Sequence, residues 1–383
     1  MEHATTIVKS KNENHLSAIP FERVTVIGAG AWGTALATTA RSAGRDVRIW
    51  GRSKTIVDDI NTNRRNTRYL NDVPLAEGLV AMTDMAEACA DTDLVLLVTP
   101  STSIRDICQQ LRDVLKVGVP LIVCAKGIEA ESGLLMTQVV KEAIPGHEVG
   151  ALSGPTFADE TAKGFPTAVT IACEFDRADG RQPEETLSAR VAVSLGTETF
   201  RPFMSDDVVG VEVGGAVKNV LAILCGIVTG AGFASNTRAA LITRGLDEMK
   251  VLAEALGGRR ETVTGLSGIG DLILTCSSLQ SRNLSYGTQL GQHRPRDEIF
   301  DGKPVVVEGV ANCASVVHLA RAKGIEMPIS EAVYAIVHEH ADIGETFGNL
   351  WTRPLEAEPR ALDIELEHPQ GEGAAQHVAD LMT

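Results

Sequence analysis

Val24-Thr25-Val26-Ile27-Gly28-Ala29-Gly30-Ala31-Trp32-Gly33 carries a β-branched run directly into G-x-G-x-x-G, and an alanine-rich helical segment follows at once. The string alone is common, but a strand before it and a helix after it are the context of a dinucleotide-binding turn. Gly28 permits the tight turn, Gly30 leaves room for a pyrophosphate against the backbone, and Gly33 lets the helix pack on the sheet. The free amides at the helix start, with Ala31 and Trp32 in its first turn, offer partial positive charge to an anion. A purely structural glycine turn is the alternative.

Outward from this turn, short β-branched runs alternate with longer helical patterns as far as about Leu152, the signature of a parallel sheet covered by helices. Strands are expected at 24–27, 47–50, 94–98, 121–125 and 149–152, with helices beginning near Trp32, Ser53, Ser101 and Ser132. The fold class is therefore α/β, a doubly wound (Rossmann) parallel sheet. Two more strand-like runs, 168–172 and 199–203, flank a polar stretch at 174–185 that reads as a surface loop leading into a helix. After about Asp206 long helical patterns with small residues take over, predicting an all-α helical domain. The expected partition is an N-terminal arm at 1–20, a dinucleotide-binding domain at 21–205, a helical substrate domain at 206–345, and a polar tail at 346–383 that, apart from a possible short terminal helix, reads as mobile. Ala222, Gly226 and Gly230 recur every four residues, lining one helical face with small residues for close packing.

After the second expected strand the chain reads Ile49-Trp50-Gly51-Arg52-Ser53-Lys54, with no carboxylate to hold a ribose hydroxyl as in NAD-specific sites. Arg52 and Lys54 would instead attract the 2′-phosphate of NADP, so NADPH is favoured and NADH stays possible. Solvated charges opening a helix are the competing reading. A net charge of -15 over 383 residues argues against non-specific nucleic-acid binding, so positive charge for an anionic ligand must be concentrated in a site. The apolar run at 216–234 contains Lys218 and Asn219 and three glycines, and reads as a buried helix, not a membrane insertion. The first twenty residues lack a signal-peptide core and carry Glu2 and Glu13, which points to a cytoplasmic location. Seven cysteines without a C-x-x-C pair suggest neither a disulfide framework nor zinc. His338 and His340 are two residues apart and diverge on a helix, so no metal is expected.

Lys218 sits beside an apolar helical run, where lost hydration lowers a lysine's pKa and fits it for acid-base work; a nearby carboxylate such as Asp271 would oppose the shift, and a lysine snorkelling from a helix start to water is the competing reading. Four segments set polar residues among glycines: Cys124-Ala125-Lys126-Gly127-Ile128, 152–158 (LSGPTFA), Gly215-Ala216-Val217-Lys218-Asn219-Val220, and Gly268-Ile269-Gly270-Asp271-Leu272. A fifth is Ser281-Arg282-Asn283. At these residues the chain resembles the bacterial branch of the NAD(P)-dependent glycerol-3-phosphate dehydrogenase family, from about Val24 to His340 with every motif in order. The resemblance implies Lys218 as catalytic acid, Lys126 as a polarising lysine near nicotinamide and substrate, and Gly154 and Thr156 as substrate contacts. It implies Asp271 as the residue orienting Lys218, and Ser281, Arg282 and Asn283 as holders of the substrate phosphate. Cofactor contacts are implied for Ser53, Ala158, Arg282, Val306 and Glu308. The implied reaction is reduction of dihydroxyacetone phosphate to sn-glycerol 3-phosphate, serving glycerophospholipid synthesis.

The arm, the polar stretch near Arg181 and the tail depart from the family's usual length without interrupting a motif. A related hydroxy-acid or sugar-acid dehydrogenase is the second enzyme reading, and a non-catalytic NADPH sensor the third. A homodimer is the default assembly.

Overall fold

The computed structural model describes residues 17–71, 73–175, 182–358, 364–371 and 373–382. Most of the expected arm, and the stretch around Arg181, lie outside the described residues. Eight strands form one sheet: β1 (Arg23–Ile27), β2 (Asp46–Trp50), β3 (Val80–Met82), β4 (Leu94–Leu97), β5 (Leu121–Val123), β6 (Val149–Ser153), β7 (Thr167–Cys173) and β8 (Phe200–Ser205). Their order is β3-β2-β1-β4-β5-β6-β7-β8, parallel throughout except between β6 and β7. Strand order reverses at β1, and the crevice beyond β1 and β4 is where ligands bind in such sheets.

The central strands are apolar on both faces because helices cover both. Every residue of β4 and of β6 is buried. The helix Ala31–Ser42 contributes Ala35, Leu36, Ala37 and Ala40 to one layer of core. The helices Ile104–Arg112 and Met136–Ala143 pack Ile107, Leu111, Val139 and Val140 into the other.

Details differ from the sequence reading. The edge strand β3 was not anticipated; at three residues, one of them exposed, it is too short to show a period. The expected strands at 94–98 and 121–125 stop at Leu97 and Val123, and Val98 and Ala125 turn into the crevice. The fourth helix begins at Met136, not near Ser132, whose hydroxyl bonds Glu129 at 2.5 Å in the preceding turn. The Gln138 side chain accepts the Leu135 amide at 3.0 Å and caps that helix instead.

The helical domain is built around one long helix, Val208–Gly230, capped by Asp207 accepting from the Gly210 amide at 2.8 Å. Its length and composition would suit a membrane span, yet every residue from Gly210 to Val228 is buried by surrounding helices. The small-residue face meets the helix Arg282–Gly291 backbone to backbone. A Cβ at Gly226 would stand 2.2 Å from the Leu284 carbonyl oxygen, and one at Gly287 2.0 Å from that of Ile223. Across the domain boundary, Glu212 of the long helix accepts the Thr137 amide at 2.9 Å and the Thr137 hydroxyl, capping a helix of the sheet domain.

A boundary at 345 cuts the helix Ile343–Trp351, and the described part of the tail is not loose. The helix Gly373–Asp380 lies against Ile343–Trp351, so closely that a Cβ on Gly348 would be 2.3 Å from the Ala375 carbonyl oxygen. Ala374, Ala379 and Met382 are buried there. A narrow stripe of small residues meets glycines in this contact, which mean polarity over the segment conceals.

Candidate active site

A cleft of about 910 Å³ opens at the C-terminal ends of β1, β2, β4 and β5 and is closed on its far side by the helical domain. The Gly28–Gly33 turn forms its floor, with Ala31 and Trp32 among the lining residues. Gly28 has φ +125°, and a Cβ there would be 2.5 Å from the Val98 carbonyl oxygen. A Cβ at Gly33 would fall 1.8 Å from the Gly28 carbonyl oxygen, so the helix can approach the strand only with glycine in place. Gly30 is different, because a Cβ there meets no atom within 4 Å. The space over Gly30 belongs to the cleft, which fits a dinucleotide pyrophosphate lying on bare backbone.

This contrast separates binding from folding. Gly30→Ala is expected to melt as wild type while its Kd for NADPH, followed by nicotinamide fluorescence, rises about tenfold or more. Gly33→Ala is expected to lose stability. Unchanged NADPH binding in Gly30→Ala would remove the pyrophosphate from this turn.

Arg52 and Ser53 line the cleft at its β2 side, but Lys54 does not. Its ammonium is bound to Asp58 one turn on, at 2.9 Å, on the exposed face of the helix Lys54–Asn63. Of the two cations expected to attract a phosphate, Arg52 lines the cleft, while i,i+4 geometry places Lys54 beside a carboxylate.

At the junction of the two domains, Asp271 is 1% exposed and binds two lysines. Its Oδ1 accepts from Lys218 Nζ at 2.6 Å and its Oδ2 from Lys126 Nζ at 2.6 Å. Lys218 stands near the middle of the buried long helix and donates also to Thr275 Oγ1 at 2.7 Å. Lys126 follows β5 and donates to the Gly154 carbonyl at 3.3 Å. Burial lowers the Lys218 pKa to about 8; Asp271 opposes the shift and the Lys126 charge reinforces it. A lysine so poised can release a proton near neutral pH, which an exposed ammonium does reluctantly.

Beside the lysines, Thr156 lines the cleft and donates to the Gly154 carbonyl at 3.3 Å, and Ala158 opens the short helix Ala158–Ala162 at the cleft wall. Opposite lies the start of the helix Arg282–Gly291. Ser281 caps it by accepting the Leu284 amide at 3.2 Å, which leaves its hydroxyl proton for a ligand. Arg282 is exposed at the rim of the cleft. Asn283 is buried and largely committed: its amide donates to Asn219 Oδ1 at 2.8 Å, and its oxygen accepts the Gly309 amide at 2.9 Å. Asn219 in turn donates to Glu308 Oε2 at 3.3 Å. Val306 and Glu308 complete the wall from the helical domain. Apart from Lys54, the expected site residues therefore meet around one cleft, Gly154 and Asp271 standing just behind its surface.

Residues 23–179 match the family description "NAD-dependent glycerol-3-phosphate dehydrogenase N-terminus", and residues 207–347 match its C-terminus counterpart. The chain belongs to the NAD-dependent glycerol-3-phosphate dehydrogenase family. The NAD(P)+ glycerol-3-phosphate dehydrogenase of Parvibaculum lavamentivorans is 46% identical over 340 residues, covering 89% of this chain and 99% of the relative. That of Maricaulis maris is 47% identical over 338 residues, covering 88% and 98%. Among solved structures, the glycerol-3-phosphate dehydrogenase of Coxiella burnetii superposes with a TM-score of 0.79 at 35% identity, covering 87% of this chain and 99% of that one. Membership in this family makes the chain an NAD(P)-dependent oxidoreductase, with the Rossmann domain as the dinucleotide binder.

Of two further residues at the centre of the site, Thr275 was not singled out from sequence and Asn219 was quoted in its motif without a role. Thr275 shares a helical face with Asp271, four residues earlier, and that spacing was a usable signal. Asn219 adjoins Lys218 but turns toward Asn283 and Glu308, a connection between three helices that no local pattern announces.

Proposed function

We propose that this chain reduces dihydroxyacetone phosphate to sn-glycerol 3-phosphate, reversibly, with NADPH favoured over NADH, and supplies glycerophospholipid synthesis. The observation that carries the reading is the pair of lysines held on one buried carboxylate at the edge of the dinucleotide cleft. A bound reduced nicotinamide supplies the hydride. Lys218 donates a proton to the carbonyl oxygen as that oxygen gains charge, and in the reverse direction its amine accepts the proton. Asp271 holds both lysines against the site, and Lys126 polarises the carbonyl with a charge that needs no reorganisation during the reaction. Arg282 and the Ser281 hydroxyl bind the substrate phosphate, for which a guanidinium fork is well shaped. Asn283 acts mainly by holding Asn219 and the start of the helix Glu308–Ala322. Closure of the two domains over the substrate excludes water. A cytoplasmic homodimer is the assembly proposed.

The test is oxidation of NADPH and of NADH in separate assays with dihydroxyacetone phosphate, beside a panel of 2-keto acids and sugar acids. Turnover confined to the acids would move the assignment to the hydroxy-acid or sugar-acid class. Binding without any turnover would favour the sensor.

The same assay carries a pH signature. The proton donor must be charged for reduction and neutral for oxidation, so kcat/KM for reduction is expected to fall above about pH 8 and that for oxidation to rise through it. A reduction profile flat from pH 7 to about 10 would exclude Lys218 as the donor.

A further inference from the structure

We propose that Arg68 is, with Arg52, the second guanidinium that recognises the 2′-phosphate of NADPH. This rests on the NADPH reading above and assigns its specificity to a residue outside the strand-turn-helix motif.

Arg68 and Tyr69 line the same cleft as Arg52 and Ser53. They belong to the short turn Thr67–Leu70, which is fastened to the nucleotide-binding floor. Asn66 is fully buried and donates to the Ala29 carbonyl at 3.0 Å and to Thr34 Oγ1 at 2.8 Å, so the segment hangs from the glycine turn itself. The Thr67 amide donates to Asp59 at 2.8 Å, and Leu70, 1% exposed, anchors the other end. Arg68 is thus an exposed side chain on a fixed backbone, with its guanidinium 5.4 Å from the centre of the Tyr69 ring.

The neighbouring cations are already used. Lys54 is bound to Asp58, and Arg64 lies 3.5 Å from Glu77. Arg41 donates to the carbonyls of Glu77 and Arg45. Among the described residues neither Arg52 nor Arg68 forms an ion pair with a carboxylate, in a chain of net charge -15. Two guanidiniums left without counter-ions at one cleft, where the residue after β2 is not acidic, suit a phosphate monoester with its several acceptor oxygens. A ribose hydroxyl would need an acceptor there and would gain little from either arginine.

The experiment measures Kd for NADPH and NADH by fluorescence, and competition by adenosine 2′,5′-bisphosphate and by 5′-AMP, in wild type, Arg68→Gln and Arg64→Gln. Arg68→Gln is expected to weaken NADPH and the bisphosphate about tenfold while NADH and 5′-AMP change less than about twofold. Arg64→Gln, the nearby charge control, is expected to leave all four unchanged. Equal losses for NADPH and NADH in Arg68→Gln, or no loss, in a wild type that does prefer NADPH, would overturn the role of Arg68 alone. Equal affinity of wild type for NADPH and NADH would overturn the NADPH reading and this inference together.

Discussion

Lys218→Ala is expected to lower kcat for dihydroxyacetone phosphate reduction by roughly 10² to 10⁴ while the protein still folds and still binds NADPH. The size follows from losing the proton donor while orientation by the rest of the site is kept. Folding survives because Asp271 is not left as a lone buried charge: Lys126 still holds its Oδ2 at 2.6 Å, and Thr275 lies 3.3 Å from its Oδ1. Steady-state kinetics with a thermal melt and an NADPH titration check all three parts. Near-normal kcat in this variant would take Lys218 out of the chemistry.

Asp271→Asn is expected to reduce kcat on the order of 10² and to lower stability by about 3 kcal/mol, the usual cost of removing one partner from a buried ion pair. Asp271 acts through Lys218 and is a positioning residue, so its signature is a shift in profile as well as a loss of rate. Its charge raises the Lys218 pKa against desolvation. Without that charge the donor loses its proton at lower pH, and the fall in reduction kcat/KM moves from about 8 toward more acidic values. A kcat loss with the limb still near pH 8 would mean that Asp271 supports the helix and not the ammonium.

The dinucleotide turn was legible because its information is local. One strand, three glycines and a helix start are adjacent in the chain, and each glycine has a steric reason visible in the tight contacts at Gly28 and Gly33. The inner strands were legible because burial on both faces demands continuous apolar runs. The edge strand β3 and the reversed direction of β7 were not, since one is too short for a period and pairing direction leaves no trace in composition. The placing of Lys54 beside Asp58 was not foreseen, because a carboxylate four residues on was not weighed. The packing of the tail's helix against Ile343–Trp351 was not legible, because average polarity hid the small residues that make the contact.

The sequence by itself determined the order of elements, the division into a sheet followed by helices, and a set of lysines, arginines and glycines whose kinds suit an anionic dinucleotide and a phosphorylated substrate. Tertiary structure alone decided what those side chains are to one another. Asp271 meets Lys218 across 53 residues and Lys126 across 145, and their proton affinities depend on distance and burial, which no local spacing encodes. The same holds for Asn66, whose two hydrogen bonds to the glycine turn and its helix bring Arg68 to the cleft. Propensity acts between neighbours in the chain, whereas electrostatics and desolvation act between neighbours in space, and the chemistry of this site is of the second kind.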